Sequence, residues 1–172
     1  MNVGEEIVAE YLRYIVGCDA IKSNVQLHSN GGEIDLIGVK GRTVYLCEVA
    51  IHINGLRYTH KGGTKDNLIN KFKRIREFVS DEGSPFCKYT PKYMFFSPIV
   101  RIPKSEKRGS QIPSELVEVQ KILGKGKIDL DFYINEDFYA IIDGLKAVAK
   151  EISYEIKSPV MRLFQIESRQ HK

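Results

Sequence analysis

The sequence predicts an α/β protein in which a central mixed β-sheet is flanked by helices. Apolar residues recur at helical spacing near both ends of the chain and in its middle. Between these stretches lie segments rich in β-branched and aromatic residues, two of which are joined by a turn as a hairpin. The 172 residues suffice for one well-cored domain and are few for two. We therefore expect a single domain over 1–172.

The composition fits an ordinary globular protein, with 42% hydrophobic and 28% charged residues. A net charge of +4 permits a polyanionic partner without requiring one. Because the chain has no apolar run of membrane-spanning length and no signal-peptide pattern, we expect a cytoplasmic protein without membrane contact. Three cysteines without C-x-x-C spacing indicate neither a disulfide framework nor a zinc site.

The first predicted element is an amphipathic helix over Val3–Val16, with Gly17 as its stop. Its apolar face contains Ile7, Val8, Tyr11, Leu12 and Ile15. Glu5 borders this face, whereas Glu6 and Glu10 project to the far side. Glu5 is therefore the acid that this helix can direct towards a site, although an acid in the first turn is also favoured by the helix dipole alone.

A strand over 20–28 leads into the predicted hairpin, whose two strands, 33–39 and 43–51, flank Lys40, Gly41 and Arg42. If Gly41 and Arg42 form a two-residue type II′ turn, the register follows by counting outward. The predicted cross-strand pairs are Val39 with Val44, Ile37 with Leu46, Asp35 with Glu48, and Glu33 with Ala50.

The predicted pairing of Asp35 with Glu48 is unfavourable, because like charges opposed across two strands repel and the rest of that face is apolar. A divalent cation such as Mg²⁺, which takes carboxylate and phosphate oxygens, would offset the cost. The alternative is that these acids point to solvent or pair with the abundant lysines and arginines.

The second half of the chain predicts a helix, a strand, a helix, a strand and a helix, with basic loops at 52–64 and 101–113. The boundaries are Lys65–Val79, Lys92–Val100, Ser114–Leu123, Lys127–Ile134 and Glu136–Ile152, the last helix capped by Asn135. From Ser153 onward the sequence leaves open a terminal helix, a binding arm or a frayed tail.

Several motifs together resemble one enzyme family. Gly4-Glu5-Glu6 with Ala9 and Tyr11-Leu12, then Asn24, GEIDLIG at 32–38 and CEV at 47–49, resemble the YraN-like and Holliday-junction-resolvase-like branch of the PD-(D/E)XK nuclease superfamily. The resemblance covers about residues 1–100. It implies a restriction-endonuclease-like core there, with an α/β C-terminal extension over about 101–172. It also implies Mg²⁺ or Mn²⁺ bound by Glu5, Asp35 and Glu48 for phosphodiester hydrolysis.

The chain departs from that family at one position, because Ala50 stands where the motif lysine is expected. In several members of the superfamily the lysine has moved to a neighbouring helix, which makes Lys71 the first candidate, Lys65 the second and His52 the third. The alternative for both lysines is that they are surface cations whose stems lie along the apolar stripe.

The resemblance and the basic segments predict a metal-dependent endonuclease that acts on DNA. Its phosphate contacts are assigned to His52, Arg57, His60, Lys61, Lys73 and Arg74. The alternative is a catalytically inactive module of the same fold that binds nucleic acid or a protein partner. The sequence leaves open DNA or RNA, branched or linear substrates, endo or exo cleavage, and monomer or homodimer.

Overall fold

The computed structural model describes residues 2–27, 31–52, 63–100 and 114–170. Its strands are β1 (Ala20–Gln26), β2 (Glu33–Lys40), β3 (Thr43–Val49), β4 (Thr90–Ser97) and β5 (Leu130–Ile134). Its α-helices are α1 (Val3–Glu10), α2 (Gly63–Ser80), α3 (Ser114–Lys125), α4 (Glu136–Glu151) and α5 (Pro159–Gln170). A π-helical segment, Tyr11–Val16, continues α1, and the left-handed Gly17 ends it as predicted.

The five strands form one mixed sheet in the order β1-β2-β3-β4-β5. The first three strands are antiparallel neighbours, whereas β4 runs parallel to β3 and β5 runs parallel to β4. The two parallel connections carry α2 and α3, as crossovers between parallel strands require intervening chain. The predicted α/β class with a mixed sheet flanked by helices is confirmed.

The sheet is covered by one layer of helices on each face. On one face, α2 and α3 pack through residues such as Phe72 and Leu116 against Leu46 and Phe95. On the other, α1, α4 and α5 pack through residues such as Leu12 and Phe138 against Cys47. We call these the α2 face and the α4 face. None of the described helices is both long and apolar enough to cross a membrane.

The observed strand and helix ends differ from the predicted ones where local backbone bonds decide them. The last strand begins at Leu130 rather than Lys127, because Lys127 and Ile128 bond back to the end of α3 and Lys127 has a positive φ of 59°. The strand expected at Lys92 begins at Thr90 and ends at Ser97, just before Pro98. The C-terminal segment forms a helix, α5, which was one of three open alternatives.

Two expectations about side chains on the helices are wrong. Glu10, expected on the side of α1 away from its apolar face, is only 4% exposed, so burial of α1 extends beyond that face. Glu6 accepts bonds of 3.4 Å from Ser158 and Val160 at the start of α5. Asn135 precedes α4, but its side chain exchanges hydrogen bonds with the backbone of Val100 instead of capping the helix.

Candidate functional site

The hairpin has the predicted turn and register. Gly41 has a positive φ of 56° in the two-residue turn, and Val39 pairs with Val44 and Ile37 with Leu46. The β2–β3 ladder ends at Leu36, where the strands begin to part. The expected pair of Asp35 with Glu48 lies beyond that point and is not part of the ladder, and the expected pairing of Glu33 with Ala50 is not formed.

The two residues of that failed pair have other partners. Glu33 pairs with Gln26 of β1, and the Ala50 amide donates to the carbonyl of Phe96 on β4. The hairpin therefore opens at the end that carries the acids.

Asp35 lies at a corner of the sheet. The residue opposite Asp35 on β1 is Asn24, which has a positive φ of 52°. Ile34 and Leu36 belong to opposite faces, although residues two apart in a regular strand share one. At this corner the Asp35 carboxylate accepts a 2.7 Å hydrogen bond from the Val49 amide. That bond extends the hairpin by one interaction and fixes the carboxylate beside β3.

Asp35, Glu48 and Lys71 form a buried cluster on the α2 face. Asp35 is 7% and Glu48 is 5% exposed. Lys71 projects from the middle of α2, donates a hydrogen bond to Glu48 Oε1, and places its Nζ 3.8 Å from Asp35 Oδ1. Its helical neighbours Leu68 and Ile75 are buried against the sheet, so the lysine stem emerges from the apolar stripe of α2.

Glu48 is electrostatically strained in this cluster. Its pKa is raised from 4.5 to about 8, chiefly because burial penalises the charged carboxylate. Lys71 opposes this shift and Asp35 adds to it. The second carboxylate oxygen of Glu48, Oε2, is buried without a hydrogen-bond partner. One ammonium therefore compensates only part of the cost of two buried acids.

This pKa shift predicts a pH dependence of stability. A carboxyl with a higher pKa in the folded than in the unfolded chain stabilises the fold fully below about 4.5 and loses that contribution as pH rises through about 8. Each unit of displacement corresponds to about 1.4 kcal/mol. In the presence of a chelator, the unfolding free energy of wild type relative to Glu48→Gln should therefore fall between pH 5 and pH 9. Urea titrations across that range measure the difference, and a pH-independent difference would contradict the burial argument.

Glu5 has a structural role at the start of α1. Its carboxylate accepts from the backbone and the side-chain amide of Asn2, whose own side-chain oxygen accepts from the Glu5 amide. This is a capping box, and it holds the first turn of α1. In the described ranges, no group of three or more His, Cys, Asp or Glu side chains is placed to hold one metal ion. The structure thus brings Asp35 and Glu48 together, and Glu5 as a third metal ligand stays a prediction.

The other candidates for the missing lysine lie elsewhere. Lys65 donates a 2.8 Å hydrogen bond to Glu118 on α3. His52 would share the face of Glu48 only if the strand continued to it, but β3 ends at Val49 and His52 is exposed. Ala50 is 4% exposed within the core of the α2 face. Lys71 is the candidate that the fold brings to the acids.

The structure describes three of the six predicted phosphate-binding residues, His52, Lys73 and Arg74. Lys73 is exposed on α2, and half-buried Arg74 donates a 3.2 Å hydrogen bond to the carbonyl of Gly31, before β2. Arg57, His60 and Lys61 lie outside the described residues. The sequence does not reveal the Val49 amide as a partner of Asp35, because every residue except proline carries such an amide, and the positive φ of Asn24 was not predicted.

Comparisons with known proteins add little to this geometry. No family model matches the chain, and no curated protein matches it. Among solved structures the chain is similar to a crystal structure of a protein of unknown function, AF1548, at 14% identity and a TM-score of 0.48. The match covers 97% of this chain and 96% of that one. We draw no functional conclusion from this likeness.

Proposed function

We propose that this protein is a Mg²⁺-dependent nuclease that hydrolyses DNA phosphodiester bonds at the cluster of Asp35, Glu48 and Lys71. The observation that carries the proposal is the lysine of α2 held on two buried acids that the hairpin places side by side. This arrangement has the carboxylates and the cation of a PD-(D/E)XK site, with the lysine supplied by a helix rather than by position 50.

The donor set fits a hard divalent cation. Both acids offer carboxylate oxygens, Glu48 Oε2 is buried without a partner, and a single positive charge faces two carboxyl groups. Mg²⁺ typically takes one or two carboxylates and keeps positions for water and substrate phosphate. When bound, Mg²⁺ would stabilise the developing negative charge and make a bound water more acidic. Asp35 and Glu48 are the residues that would hold it.

The Val49 amide, Lys71 and Glu5 have different roles in this proposal. The Val49 amide holds Asp35 in one orientation, so the carboxylate does not have to be reorganised during the reaction. Lys71 supplies a positive charge beside the attacking water and the scissile phosphate. The capping box accounts for Glu5, which we therefore place in the support of α1 rather than among the reacting groups.

The proposal is tested by a cleavage assay on plasmid, single-stranded and branched DNA with Mg²⁺ or Mn²⁺. Metal-dependent cleavage that is lost in Asp35→Asn supports it. Absence of cleavage on all three substrates, together with DNA binding, would favour the alternative of an inactive binding module. Cleavage that persists in Asp35→Asn or in excess chelator would point to a contaminating enzyme or a different site.

DNA binding should depend steeply on salt, because the proposed contacts are to phosphates and release counterions. About four phosphate contacts would lower the affinity roughly a hundredfold between 50 and 200 mM salt. Lys73→Gln should reduce the slope by about one unit. Lys150→Gln, an exposed change on α4 across the sheet, is the matched control and should leave the slope unchanged. Fluorescence anisotropy at several salt concentrations measures both, and a salt-independent affinity would exclude this mode of binding.

A further inference from the structure

The position of the Lys71 ammonium has a consequence for how the metal enters. Its Nζ is bonded to Glu48 Oε1 and lies 3.8 Å from Asp35 Oδ1, so it occupies the space in which a cation shared by the two carboxylates would lie. An ammonium and a divalent cation cannot both occupy that space. Metal binding therefore requires the lysine to leave Glu48.

We propose that Lys71 is a placeholder cation that holds Asp35 and Glu48 together in the metal-free protein and is displaced when a divalent cation binds. This inference rests on the proposed function, since it assumes that the two acids bind metal. Two adjacent buried carboxylates are costly without a cation, because like charges repel and burial removes their hydration. The lysine lowers this cost while the metal is absent.

Replacement of the Lys71 ammonium by a divalent cation is favourable because the metal brings more charge and can bind more of the carboxylate oxygens. The ammonium brings one charge and leaves Glu48 Oε2 without a partner. A divalent cation brings two charges, and its coordination shell can include that oxygen or a water bonded to it. The displaced ammonium stays on a flexible four-carbon stem whose base is held by the packed stripe of α2. It is thus released next to the bound metal, where substrate phosphate would arrive.

The exchange is tested by measuring Mn²⁺ binding calorimetrically in wild type, Lys71→Met and Lys65→Met. Lys71→Met keeps the apolar stem and removes the competing charge, so we expect its Mn²⁺ affinity to rise about tenfold, equivalent to about 1.4 kcal/mol. Lys65→Met removes a cation paired with Glu118 and should bind Mn²⁺ as wild type does. Equal or weaker binding by Lys71→Met, with wild type binding metal, overturns the placeholder role alone. Absence of Mn²⁺ binding in all three proteins overturns the proposed metal site itself.

A second measurement uses wild type and does not depend on the folding of a variant. Acylation of each lysine by an amine-reactive ester is quantified by peptide mass spectrometry with and without saturating Mn²⁺. We expect labelling of Lys71 to rise when metal is added, because its ammonium is freed from Glu48, while labelling of Lys65 stays constant. Labelling of Lys71 that is unchanged or reduced, under conditions where calorimetry shows binding, overturns the displacement.

Discussion

Asp35→Asn and Glu48→Gln are each expected to lower DNA cleavage by on the order of 10³-fold, because each removes a charged ligand of the proposed metal site. The double variant should also lose the heat of Mn²⁺ binding. Its fold should survive, since each substitution keeps the size of the side chain and removes a buried negative charge. Single-turnover cleavage rates and calorimetry measure the two effects.

The matched control for the acids is Glu118→Gln, an exposed acid on α3 whose partner is Lys65. It should cleave and bind Mn²⁺ as wild type does. Full cleavage by Asp35→Asn, or the same heat in wild type and the double variant, would show that these carboxylates do not form a metal site.

Transfer of the lysine from position 71 on α2 to position 50 is expected to have the second-largest effect on the cleavage rate. Lys71→Met should lower the cleavage rate by about 10²-fold to 10³-fold, because a charge beside the developing negative charge is lost. Adding Ala50→Lys to that variant should restore much of the rate. Position 50 lies two residues after Glu48 and in the hydrophobic cluster of the α2 face, and it corresponds to the lysine of the PD-(D/E)XK motif that the sequence resembles.

Ala50→Lys on its own should behave differently from the double variant. Ala50 is buried, and Lys71 already faces both acids, so a second ammonium would be buried without a carboxylate of its own. We expect a lower unfolding free energy and no gain in cleavage. A large gain from Ala50→Lys alone would mean that Lys71 does not replace the motif lysine, and full activity of Lys71→Met would exclude it from catalysis.

The sequence predicts the sheet and most of its elements because their signals are local. A two-residue loop with glycine sets the register of β2 and β3, and the apolar stripe of α2 places Lys71 towards the sheet. The positive φ of Asn24 was not predicted, although asparagine adopts the left-handed region more readily than most residues. The spacing of Asn2 and Glu5 is that of a capping box, which gives Glu5 a structural role at the start of α1.

Tertiary contacts account for what the sequence could not predict. Helical periodicity placed Glu10 on the side of the first helix away from its apolar face, yet the fold buries it to 4% exposure. Residue spacing placed both Lys71 and Lys65 beside the apolar stripe, with Lys71 as the first candidate, but only the packing of α3 shows that Lys65 has Glu118 as its partner. Local pattern therefore selects the candidates, and long-range packing selects among them.

The two faces of the sheet differ in the sequence separation of the residues that pack on them. The α2 face is built from residues between β1 and β5, and the Asp35, Glu48 and Lys71 cluster joins positions within one short stretch of that range. The α4 face requires α5 to pack against α1. The hydrogen bond that Ser158 donates to Glu6 joins residues 152 positions apart. Closing so long a loop costs the most chain entropy and comes late in folding. We therefore expect the contacts of the acidic pair to form before α5 docks against α1.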